Sequence, residues 1–217
     1  MGLRLRAMMK PPEEGEIWEW RAFGQMSERL ADEVRAHPIR MGVSCQKGED
    51  LYLISPASDH NVKLRRTDGR WFLKFKLLLA TVQRSIELYR ESSSLIYSFP
   101  IERDIVEQAA ALLNTKLLTL AESIAVFERE EFIEAMAVSS PPIAKVEVAK
   151  IRSQFQFERG WVELADVWFS QHRVQSLSIH SPDAKAVEAV LDMLRPGSEV
   201  EAMNYVEACR RWGRLEG

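Results

Sequence analysis

Four short segments of this 217-residue chain set charged side chains two residues apart: Trp18-Glu19-Trp20-Arg21, Val62-Lys63-Leu64-Arg65, Leu73-Lys74-Phe75-Lys76 and Ala149-Lys150-Ile151-Arg152. In an extended strand, residues two apart share a face, so each charged pair points one way and the intervening apolar residues point the other. Several such strands side by side would gather positive charge on one surface of a sheet whose other surface is apolar. Arg and Lys so gathered hold phosphate or carboxylate oxygens. One such segment alone is the ordinary pattern of an antiparallel sheet with one wet face. Repetition with the same sign says more, because Lys63, Arg65, Lys74 and Lys76 come from two neighbouring segments with no carboxylate within either pair.

The elements that would carry these residues follow from periodicity and turn chemistry. Residues 17–23 alternate as a strand, and Ser27 is placed to cap a short helix ending before Pro38. Residues 50–54 read as a strand. Residues 62–66 and 71–78 are two more, joined by Thr67-Asp68-Gly69-Arg70, whose Asp-Gly pair tolerates the positive φ of a tight hairpin. The two basic strands are therefore adjacent and antiparallel. Residues 85–91 add a strand, and helices are expected over 102–113 and about 117–136. Ser139-Ser140-Pro141-Pro142 is the clearest internal break, read as a loop within one fold because basic alternation resumes after it. Three strands follow over 146–157, 161–169 and 174–180. A helix then opens at Ser181-Pro182-Asp183, and a last one is expected over about 199–211. Helices lie outside the strand runs rather than alternating with them, which is α+β and not a doubly wound nucleotide fold.

Composition bounds the function classes. The chain is 46% hydrophobic and 28% charged with net charge −3, the profile of a soluble globular protein and not of an overall basic nucleic-acid binder. No apolar run reaches the roughly 18–20 residues of a membrane span. Residues 1–15, with Pro11, Pro12 and Gly15, read as a flexible leader, and 16–217 as one domain. Two distant cysteines, Cys45 and Cys209, have no metal-ligand spacing and suit a reducing, cytoplasmic setting. There is no Gly-rich phosphate loop and no Cys/His zinc cluster.

The order of these segments resembles the CYTH superfamily, the triphosphate tunnel metalloenzymes. The resemblance runs over roughly residues 16–212, through Asp50-Leu51-Tyr52, Val62-Lys63-Leu64-Arg65, Leu73-Lys74-Phe75-Lys76 and Lys150-Ile151-Arg152 to a closing strand and helix. It implies an eight-stranded antiparallel tunnel barrel with flanking helices. It also implies a triphosphorylated small molecule or short polyphosphate as ligand, and Mg2+ or Mn2+ as cofactor. Arg21, Lys63, Arg65, Lys76, Lys150 and Arg152 stand where that family binds phosphate, and Glu19 and Asp166 where it binds metal.

The acidic half departs from the family's pattern. Its opening Glu-x-Glu-x-Lys is here Ile17-Trp18-Glu19-Trp20-Arg21, and its closing Glu-x-Glu is Ser176-Leu177-Ser178-Ile179-His180. Two readings stand at this point: a metal-dependent hydrolase of triphosphates, or a non-catalytic binder of a polyanion or nucleotide with a degenerate metal site.

Overall fold

Alternation decides which way each strand faces. The computed structural model describes residues 15–36, 40–41, 46–118 and 125–213. The leader expected over residues 1–15, save Gly15, lies outside these residues, as does Cys45.

Eight strands form the barrel: β1 (Glu16–Gly24), β2 (Gln46–Ile54), β3 (Asn61–Thr67), β4 (Arg70–Thr81), β5 (Glu87–Arg90), β6 (Ala144–Phe157), β7 (Gly160–Phe169) and β8 (His172–Ser181). Every pairing is antiparallel, in the order β1-β5-β4-β3-β2-β6-β7-β8, and β8 pairs back to β1 to close the ring. This is the closed α+β barrel that the resemblance implied. The Pro-rich break does not divide it, because β6, which follows the break, pairs with β2, which precedes it. The β3–β4 hairpin turns through Asp68 and Gly69, at φ +50° and +77°. Only the absence of a Cβ, or a short polar side chain, makes that left-handed backbone inexpensive.

Outward-facing residues of the strands bury against helices on two sides. Trp18, Trp20 and Ala22 of β1, Val162 of β7 and Leu177 and Ile179 of β8 lie beneath α1 (Glu28–Ala36) and a later helix over Ala184–Leu194. Val62, Leu64, Leu73 and Phe75 of β3 and β4 lie beneath α2 (Arg103–Leu112) and α3 (Arg129–Ala137). The Ala184–Leu194 helix is α4, and it is followed by α5 (Tyr205–Trp212). α5 packs on inward-facing residues instead. Phe23, Tyr52, Ile54, Val146, Val148, Val167 and Phe169 form one buried cluster with Met203, Tyr205, Val206 and Cys209. One half of the bore is thus filled with apolar side chains.

Two helix expectations change. Of the stretch 117–136, the described part is helical only from Arg129. Val126–Phe127 is a short strand on Ile101–Glu102, and a capping box between Glu128 and Glu131 starts the helix after it. Likewise residues Val200–Ala202 pair with the end of β1, and Asn204 then caps α5 by accepting from Glu207 N at 3.0 Å. Gly24 permits that pairing, since a Cβ there would come within 2.1 Å of the Glu199 carbonyl oxygen.

Asp183 caps α4 by accepting from Lys185 N at 3.0 Å. Asp183→Ala is expected to cost about 1 kcal/mol, a fall of roughly 2–4 °C in melting temperature. An unchanged melting curve would show that the apolar face alone sets the stability of α4.

Candidate anion site

The inward residues of the other half of the bore are almost all polar. β1 supplies Glu19 and Arg21, β2 Asp50, β3 Asn61, Lys63 and Arg65, and β4 Lys74 and Lys76. β6 supplies Lys150, Arg152 and Gln154, β7 Trp161 and Glu163, and β8 Ser176, Ser178 and His180. Arg21, Lys63, Arg65, Lys76, Lys150 and Arg152 all line one cavity of about 410 Å³, with Tyr205 of α5, Glu91, Glu163 and His180. The six cations named from the sequence thus converge, and a volume of this size suits a small-molecule site. The cavity opens at the rim where β1 and β7 begin and β3, β6 and β8 end.

Asp50 anchors one side. Its carboxylate is fully buried and accepts from Arg65 Nε at 2.9 Å, Arg65 Nη2 at 3.2 Å and Lys150 Nζ at 2.8 Å, with Lys63 Nζ at 3.4 Å. Lys63 also donates to the Tyr52 hydroxyl at 3.0 Å. Burial opposes ionisation of Asp50, but Lys63, Lys150 and Arg65 outweigh it and hold the carboxyl well below the usual range. The same burial pulls Lys63 well below an ordinary lysine pKa and lowers Lys150 as well. The directions are consistent because one carboxylate is shared by three cations: it gains from all of them, and each of them gains only a share.

Glu19 anchors the other side. It accepts from Arg21 Nε at 2.7 Å and from Lys76 Nζ, with His180 Nδ1 at 3.5 Å. Burial opposes its ionisation, and Lys76 and Arg21 overcome it, so Glu19 stays ionised well below the usual range. Arg21 continues to Ser176 Oγ at 2.9 Å and lies over the Tyr205 ring, 4.5 Å from its centroid. Glu163 accepts from Arg152 Nη1 and Gln154 Nε2, each at 3.1 Å, and is held down at a pKa of about 2 against its burial by Arg21, His180 and Arg152. Glu91 accepts from Lys74 and lies 3.6 Å from Lys76.

Asp166 is placed elsewhere. It lies outside the bore, partly exposed, where it accepts from Arg173 Nη2 at 2.9 Å. The bore-facing carboxylate of that strand is Glu163, three residues earlier and of opposite parity. Counting in twos from Trp161 identifies it. Asp50 and Glu91 were also missing from the candidate set. The sequence signal for Asp50 was its place two residues before the inward Tyr52.

Ser178 Oγ lies 2.9 Å from His180 Nε2, which together with Glu19 superficially forms a serine, histidine and carboxylate relay. Ser178 is 0% exposed and does not line the cavity, so no substrate reaches it. His180 is instead a wall, stacked on Trp161 with ring centroids 4.8 Å apart.

The donor set does not fit Mg2+ or Mn2+. A hard divalent ion needs several oxygen ligands free to converge. Glu19 gives both oxygens to Arg21 and Lys76, Glu163 gives Oε2 to Arg152 and Gln154 with Oε1 3.8 Å from Arg21, and β8 offers two hydroxyls and an imidazole. Among the described residues no three His, Cys, Asp or Glu side chains group closely enough to hold a metal ion. Seven inward basic groups, of which Lys63 is pulled well below the ordinary range, face Glu19, Asp50, Glu91 and Glu163, held below theirs, and Glu87, whose carboxyl burial raises, so basic groups outnumber carboxylates in the bore. No described helix is long and apolar enough to cross a membrane.

No family model matches this sequence, and no curated protein does. Solved structures match. A putative adenylyl cyclase from Hippeastrum, described as having a dominant triphosphatase activity, has a TM-score of 0.50 at 11% identity, covering 92% of this chain and 97% of its own. A putative adenylate cyclase from Bacillus halodurans has a TM-score of 0.50 at 9% identity, covering 89% and 98%. These structural neighbours are CYTH-type proteins, and at such identities what is shared is the fold.

Proposed function

We propose that this CYTH-type barrel binds a triphosphorylated small molecule or short polyphosphate, and holds it with guanidinium and ammonium groups instead of a bound metal. The observation that carries this is the convergence of six cations on one cavity whose carboxylates are already neutralised. Phosphate oxygens entering it would take over donors that Asp50, Glu19 and Glu163 now share. Arg65 and Arg152 stand near the rim, where ligand enters, and Lys63, Lys150 and Arg21 stand deeper. Charge-assisted hydrogen bonds of this kind are worth about 1.5–3 kcal/mol each.

Hydrolysis is the second reading, supported by the resemblance and by the activity described for the Hippeastrum protein. The departures at Ile17, Ser176 and Ser178 weigh against it, since they remove the oxygen ligands through which that family holds metal.

The test is calorimetric titration with inorganic triphosphate, with EDTA or with Mg2+, alongside phosphate release. Binding in EDTA without release supports a metal-independent binder. Arg65→Ala, with folding checked by its melting curve because Arg65 pairs with the buried Asp50, is expected to weaken binding roughly 10- to 100-fold. Binding that vanishes in EDTA would overturn the metal-free reading, and no binding under either condition would overturn the anion site.

A further inference from the structure

Four buried polar side-chain atoms among the described residues have no hydrogen-bond partner: Glu33 Oε2, Arg210 Nε, Asn61 Oδ1 and the Tyr205 hydroxyl. The first two belong to groups anchored through their other atoms, Glu33 by Arg29 and Arg210 by Asp59, Ser55 and Ser58. Asn61 and Tyr205 are the other two, and both line the cationic cavity. They are only 6% and 7% exposed, so water does little to satisfy them. Leaving a buried polar group unpaired is costly, and a fold keeps few of them. Tyr205, the first residue of α5, stands where the filled half of the bore meets the open half: it packs with Phe23 and Tyr52 in the apolar cluster and lines the cavity as well. Its ring stacks on Tyr52, and Arg21, Lys150 and Lys63 lie 4.5, 5.1 and 6.0 Å from its centroid. Burial pushes the phenol pKa up, with the charges of Arg21, Glu163, Asp50 and Glu19 all acting on it. The hydroxyl therefore stays protonated, a donor with no acceptor in the unliganded protein.

We propose that the Tyr205 hydroxyl is a ligand-binding group, which donates a hydrogen bond to an oxygen of the phosphoryl group that reaches the floor of the bore. This rests on the anion-site reading and deepens it, adding a neutral donor to the cations. A cation attracts an anion from any direction, whereas a hydroxyl on a packed ring bonds only an acceptor placed in line with it. Without ligand the same hydroxyl is a liability to the fold. Its removal takes away one buried unpaired group and leaves the ring, the Tyr52 stacking and the cation contacts in place. Stability and binding should therefore answer one substitution in opposite senses. A tyrosine whose hydroxyl served only the fold would lose stability instead.

Tyr205→Phe and the wild type are compared by calorimetric titration with inorganic triphosphate, in EDTA and with Mg2+, and by thermal denaturation without ligand. Under whichever condition supports binding, affinity is expected to fall about ten-fold, the order expected for one hydrogen bond to a charged group. The melting temperature is expected to hold or rise. An affinity loss smaller than about three-fold overturns the proposal and leaves the anion site standing. So does a melting temperature lowered by more than about 2 °C, since the hydroxyl would then serve the unliganded fold. If the wild type binds no triphosphate under either condition, the anion site fails and the proposal fails with it.

Discussion

Asp50→Asn is expected to lower the stability of the unliganded protein by about 3–5 kcal/mol, a fall of roughly 10 °C or more in melting temperature, and inorganic triphosphate is expected to restore much of it. The carboxylate is the shared counter-ion of Arg65, Lys150 and Lys63, and its side chain is fully buried. Asparagine keeps the shape and one acceptor but leaves those cations facing one another at low dielectric, and removing one partner of a buried charge cluster costs far more than the cluster contributes. A polyphosphate would supply the missing negative charge. The variant should therefore gain more from ligand than the wild type does, which thermal denaturation with and without 1 mM (about 10⁻³ M) triphosphate measures by mass action. A loss below about 1 kcal/mol would mean that water reaches the three cations and that the cluster is not the buried unit described.

The second large effect is in pH. His180 is buried among Glu19, Arg21, Lys76, Glu163, Ser178 and Trp161, and burial is the main reason its pKa falls from 6.5 to about 4. Between these values the unfolded chain holds a proton on this imidazole that the folded protein refuses. Stability therefore rises with pH across that window and is lost as pH falls from about 6.5 toward 4. At about 1.4 kcal/mol per pH unit, the loss approaches roughly 3 kcal/mol. The carboxylates act in the same direction lower down: Glu19, Asp50 and Glu163, with pKa values depressed in the fold, contribute stability above the ordinary carboxylate range that disappears as pH drops below it. His180→Gln should flatten the upper part of the curve and leave the lower part. Urea denaturation at closely spaced pH values separates the two, and an unchanged upper limb in the variant would show that His180 does not carry it.

The basic half of the site was legible because strands repeat every two residues and the cations share parity within each segment: Lys63 with Arg65, Lys74 with Lys76, Lys150 with Arg152. The α+β class followed from the order of strands and helices and the Asp68-Gly69 hairpin paired the two basic strands, while the closed barrel was implied by the resemblance. What the sequence hid is the carboxylates' work. Nothing in Asp50-Leu51-Tyr52 says that one aspartate will meet cations from β3 and from β6, a hundred residues away, because that meeting depends on β2 lying between those strands. Asp166 stood where the resembled family places an acidic residue, yet one step of parity puts it on the outer surface. The start of the last expected helix was obscured because Val200–Ala202 reads equally well as a helix face or as a strand, and only the open edge of β1 near Gly24 decides it.

The apolar filling around α5 has a consequence for the length of whatever enters. With Phe23, Phe169, Val148 and Met203 packed across the bore, the molecule is a blind socket and not a pipe. A chain cannot be threaded through it and read from the middle; it can only be gripped by a terminus that enters and withdraws through the same doorway. On the proposed anion-site reading, such a socket would measure its guest from the tip inward, and a molecule branched or capped at both ends would not fit it.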